Sequence, residues 1–137
     1  MLKKIYKIII VPYGVFLLYL MLLGMGRFQY RDHLVRIEPV FSTIKFIQNN
    51  INWRYAVMIT FGNIIMFVPF GFLGWLFPEL KKLQPLIFNF ISAIVIIEAL
   101  QYFTRMGVFE LDDIILNTFG VYLGWVLFRY TEKRFTD

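Results

Sequence analysis

Four apolar runs dominate this chain, at about residues 5–26, 55–77, 86–103 and 112–130. Each is long enough, or nearly so, to cross the roughly 30 Å of hydrocarbon in a bilayer as a helix. The last run, Ile114–Tyr130, is short until Leu111–Asp113 are counted as its first turn at the interface. A hydrophobic fraction of 59% over 137 residues exceeds what a soluble domain of this size needs. The mean hydropathy of +0.66 points the same way. The expected fold is all-α: a small polytopic membrane protein, a four-helix transmembrane bundle forming one domain over residues 1–137.

Other classes fall away on composition. With no cysteine there is no disulfide framework and no thiolate, and a single histidine, His33, leaves no transition-metal site. No metal and no cofactor are expected, and His33 reads as a solvated loop residue. The net charge of +5 does not point to nucleic acid, because the Lys and Arg residues sit at the ends of the apolar runs and form no single basic face. Membrane lipids, with their anionic headgroups, are the expected counter-charge.

Lys3 and Lys4 precede the first run, as they would in a signal peptide. The run is longer than a typical signal core and no small-x-small cleavage site comes after it, so an uncleaved anchor is expected. If that helix runs outward, Lys3, Lys4, Lys7, Lys81, Lys82, Arg129, Lys133 and Arg134 lie inside, and Arg27, Arg31, Arg36, Lys45, Arg54 and Arg105 outside. The inside group also clusters close to helix ends, where the positive-inside bias is strongest. A multi-pass cell-membrane protein with both termini cytoplasmic is the expectation. Between the first two runs, Val40, Ile44, Ile47 and Ile51 recur at i, i+4, i+7 and i+11 after Pro39, opposite Lys45, Gln48 and Asn49. That spacing predicts an amphipathic helix lying in the interface, as a packing lid or one that also meets a ligand.

Polar residues inside the runs carry the chemistry. Glu98 stands within Leu86–Phe103, with Gln101 and Arg105 at i+3 and i+7 on the same face. A charge at the bilayer centre costs at least about 2.5–3.5 kcal/mol, so an intramembrane carboxylate normally has a partner and a purpose. At 1.5 Å per residue, Asn63 lies roughly 12 Å below the outer entry of its helix, Glu98 roughly 9 Å and Asn117 roughly 6 Å. Together with Asp112 and Asp113, these groups gather in one half of the membrane. Arg105 is the natural partner of Glu98, Asp112 or Asp113, with the choice open. Three acids against one arginine leave a net negative site, suited to a cation, a proton or an amine.

Small residues extend the same faces. Gly120 and Gly124 continue the Asp113–Asn117 stripe, and Gly71 and Gly74 continue the Asn63 face, so close backbone approach of helices two, three and four is expected. The grooves they leave would admit an acyl chain. Gly120 and Gly124 read as an intrachain contact, with a homodimer face as the alternative. Pro69 is expected to kink the second helix and free backbone carbonyls. Trp53, Trp75, Trp125, Tyr55, Tyr102 and Tyr130 fall near run ends, where interfacial anchors belong.

Asn63-Ile64-Ile65-Met66-Phe67-Val68-Pro69-Phe70-Gly71, Glu98-Ala99-Leu100-Gln101 and Asp112-Asp113-Ile114-Ile115-Leu116-Asn117-Thr118-Phe119-Gly120, in this order and spacing, resemble the VanZ-like family of small bacterial membrane proteins. Val35–Val40 is similar to the stretch before that family's second helix. The resemblance implies a cell-envelope protein of the bacterial plasma membrane, linked to low-level resistance to teicoplanin, a lipid-tailed glycopeptide.

Three functions are open at this point. The first is binding of a lipid-anchored envelope molecule, a lipid-linked cell-wall precursor or the lipoglycopeptide itself, with Glu98, Asp112 and Asp113 meeting its head. The second is an intramembrane enzyme with Glu98 as general base and the aspartates holding Mg²⁺ over a phosphate. No second basic residue is present to cradle a phosphate and no nucleophile is evident, so the balance leans away from catalysis. The third is an accessory subunit or small ion-coupled carrier, which with four helices would work as a dimer.

Overall fold

The computed structural model describes residues 2–24, 29–37 and 53–136, and the interfacial helix expected after Pro39 lies outside them. Helix α1 spans Leu2–Leu22, and strand β1 spans Leu34–Arg36. Helix α2, Trp53–Phe67, runs directly into a 3-10 helix, Val68–Trp75, and a short 3-10 turn, Pro78–Lys81, comes next. Helix α3 is Leu83–Thr104, β2 is Val108–Glu110, and α4 is Leu111–Thr136. The chain is mostly helical. Among the described residues, three helices are long and apolar enough to cross a membrane: α1, α3 and the Leu111–Arg134 part of α4.

The second apolar run changes helix type at the expected kink. Pro69 has no N–H, so the carbonyl four residues back loses its α-helical donor, and from Val68 the chain tightens into 3-10 geometry. In that geometry the donor missing from Pro69 would serve the Met66 carbonyl. Tyr13 Oη on α1 donates to Met66 O at 2.7 Å instead, and Tyr6 Oη donates to Pro69 O at 2.9 Å. Both tyrosines lie on the face of α1 that carries its buried residues, Ile10 and Leu17. Their hydroxyls therefore fasten α1 to the irregular backbone of the second run.

Helix α4 approaches the same stretch without intervening side chains. A Cβ on Gly124 would strike the Val68 carbonyl oxygen, one on Gly120 the Ile64 carbonyl, and one on Gly71 the backbone of Gly124 and Trp125. The close approach expected from the glycine spacing is thus made between the second run and α4, and α3 is not among the nearest neighbours of these glycines. The contact uses the Gly120–Gly124 stripe within the chain, and the groove expected to admit an acyl chain is filled by backbone. Trp125 Nε1 donates to Lys81 O at 2.9 Å, and Trp75 packs edge-on to Tyr6 and Phe128, so both indoles serve as internal packing.

The core runs through the middle of the bundle, with Leu17, Phe67, Leu86, Ile94, Ile114 and Val121 buried in one cluster. Ile8, Val11 and Val15 of α1 and Ile96 of α3 face outward, as side chains facing hydrocarbon would.

One element lies outside the all-α expectation. Strands β1 and β2 pair in parallel, with Leu34 opposite Val108, Val35 opposite Phe109 and Arg36 opposite Glu110. The pairing joins the segment before α2 to the segment before α4.

The glycine contacts make a sharp prediction. Gly124→Ala should lower thermal stability in detergent by about 1–3 kcal/mol through overpacking. Gly62→Ala, which meets nothing within 4 Å, should be neutral or slightly stabilising in the same unfolding assay.

Candidate functional site

Three helix ends meet beside the β1–β2 pair, and each leaves backbone groups that its own helix cannot satisfy. At the C-terminal end of α1, the Met21 carbonyl accepts from Gln101 Nε2 at 2.7 Å. At the end of α3, Tyr102 O accepts from His33 Nδ1 at 2.8 Å, so the ring proton is on Nδ1, and Thr104 O accepts from Gln29 Nε2 at 3.3 Å. Arg105 closes α3 in the left-handed conformation, φ 58°, and Met106 N reaches back to Gln101 O at 3.1 Å. At the start of α4, Glu98 Oε2 accepts from the backbone N–H of Glu110 at 3.1 Å.

That last contact explains how a carboxylate survives with 0% exposure. The start of a helix carries unsatisfied N–H groups and the positive end of its dipole, and both favour an anion. Asp112 and Asp113, in the first turn of α4, share this field. Glu98 therefore fixes the junction between β2 and α4 from inside the bundle. Across the strands, Arg36 Nη1 meets Glu110 Oε1 at 2.8 Å on the exposed side, a pairing worth little by itself but consistent with the strand register.

The expected cluster is largely brought together. Asn63 Nδ2 donates to Asp113 Oδ1 at 3.1 Å, linking α2 to α4. Glu98, Gln101, Asp112 and Asn117 are all buried. Arg105, expected to pair with a carboxylate, donates through Nη1 to the Arg31 carbonyl at 3.3 Å, because its place as the helix cap turns it toward the segment before β1. Asn117 is 2% exposed, and its Oδ1 has no donor among the described residues. A buried amide oxygen left without a donor costs on the order of 1–3 kcal/mol.

Glu110, Arg36, Gln29 and His33 also belong to this end of the molecule, and the sequence pattern does not single them out. Their partners are backbone groups or residues far away in sequence, for which spacing gives no signal. Tyr6 and Tyr13 are legible in principle: with Ile10 and Leu17 they fall at i, i+4, i+7 and i+11 on α1. Among the described residues, no three His, Cys, Asp or Glu side chains converge as a metal-holding group.

The apolar helices fit a membrane protein, and its buried polar residues gather where helix ends meet. The chain matches the VanZ/LLP1 family over residues 10–132, most of its length, and belongs to that family. Comparison with curated proteins and with solved structures gives no match.

The role of Glu98 in the β2–α4 junction separates two substitutions. Glu98→Gln keeps an acceptor for the Glu110 N–H and should unfold near the wild-type temperature. Glu98→Leu removes that acceptor and should cost about 1–3 kcal/mol in the same measurement.

Proposed function

We propose that this protein is an envelope protein of the bacterial plasma membrane that binds the head of a lipid-anchored molecule at the end of the bundle where Glu98, Asp112, Asp113 and Asn117 gather. The observation that carries this reading is Asn117 Oδ1: a buried acceptor without a donor among the described residues, one helical turn below Asp113 and in a net negative setting. A ligand bearing a hydroxyl or an ammonium group supplies the missing donor and balances the carboxylates. A lipid-linked cell-wall precursor and a lipoglycopeptide both carry such groups, and binding either would lower sensitivity to teicoplanin-type drugs.

In this reading the second run also crosses the membrane. Fifteen α-helical and eight 3-10 residues span roughly 40 Å, more than the hydrocarbon requires. Four crossings then put both termini in the cytoplasm and the acidic end at the outer leaflet. The basic residues near Lys81 and Arg134 support that orientation. Binding is favoured over catalysis because Arg105, the cation nearest the acids in sequence, is directed to the Arg31 carbonyl and no nucleophile stands among them.

The test is teicoplanin and vancomycin susceptibility in a Gram-positive host expressing the wild type, Glu98→Gln or Asn117→Leu at matched membrane levels. Wild type should protect against teicoplanin alone, and both variants should lose that protection. Equal protection by all three would make the polar residues packing groups and would overturn the binding reading.

A further inference from the structure

An apolar groove opens on the flank of the bundle between α1 and α3. Its volume is about 300 Å³, at the lower end of the ~300–1,000 Å³ range of ligand pockets. The floor is made by Leu17, Phe67, Leu86 and Ile94, all core residues, and the rim by Leu18 and Ala93, both exposed. Among the described residues, Asn89 is the one polar residue that lines it, and its Nδ2 donates to Pro85 O at 2.8 Å along its own helix. That amide is therefore turned to its own backbone, and the groove is apolar along its length.

Both walls belong to helices long and apolar enough to cross a membrane, so the groove opens sideways into hydrocarbon. It is also continuous with the polar end. Met21 lines the groove while its carbonyl accepts from Gln101, and Ile97, another lining residue, directly precedes Glu98. We infer that this groove holds one acyl chain of the lipid-anchored ligand whose head meets the acidic end. This rests on the binding reading and adds the ligand's tail: an acyl chain laid along α3 between Asn89 and Ile97.

The experiment uses palmitic acid carrying a photoactivatable diazirine, in phosphatidylglycerol–phosphatidylethanolamine vesicles containing the full-length protein. After illumination, the cross-linked peptides should concentrate on α1 around Leu18 and on α3 around Ala93. Ala93→Trp, which fills the groove from its exposed rim, should cut that labelling by about tenfold. Ile96→Trp, on an outward face of the same helix, should leave it unchanged and controls for folding. The head site is read separately, by the loss of teicoplanin protection in Glu98→Gln, so failure of the head reading and failure of the tail reading are distinguishable. Labelling spread evenly over Ile8, Val15 and Ile96, or unaffected by Ala93→Trp, would show ordinary annular lipid and overturn the assignment.

Discussion

Hydrocarbon offers no hydrogen bonds, and the main features of this structure arise where the chain interrupts its own helices under that constraint. One interruption is Pro69, which removes a donor in the middle of the second run and sets Val68–Trp75 in 3-10 geometry. The repair comes from outside the run, in the hydroxyls of Tyr6 and Tyr13. The others are the helix ends at the acidic end, whose orphan groups are met by Gln101, His33, Gln29 and Glu98. Polar residues that look anomalous in an apolar sequence are thus drawn to backbone groups that would otherwise be stranded.

In the proposed binding reading, the structural and functional roles of Glu98 do not compete. One carboxylate oxygen organises the start of α4, and the junction it holds is what brings Asp112 and Asp113 beside it. A carboxylate stabilised by helix N–H groups costs less to bury than one facing hydrocarbon, which is how a net negative cluster can persist at this depth. Asn117 has no equivalent backbone task. Its Oδ1, without a donor among the described residues, is the observation on which the proposed binding site rests.

Much of the architecture is legible in sequence because it depends on period and length. The apolar runs and the glycine stripe of α4 come from helical spacing, and the Asn63–Asp113 bond joins two members of the expected polar group. The change of helix type around Pro69 is visible only as a kink, because a proline announces a lost bond but not the geometry that replaces it. The β1–β2 pair is not legible: three-residue strands separated by more than 70 positions carry no periodic signal. Arg105 is misleading for a related reason. Its charge draws attention to the acids, while its role as a left-handed helix cap sends the guanidinium toward the Arg31 backbone.

A lipid-anchored head can reach the acidic end of the bundle only if that end faces the outer leaflet. The chain has no cysteine, so single cysteines report on sidedness without background. Thr104→Cys, exposed at the end of α3, and Lys82→Cys, exposed at its start, should be treated with a membrane-impermeant maleimide in intact cells. Labelling of the Thr104 variant in intact cells, and of the Lys82 variant only after permeabilisation, is the expected result; the reverse pattern would place the acids on the cytoplasmic side and refute an outward-facing site.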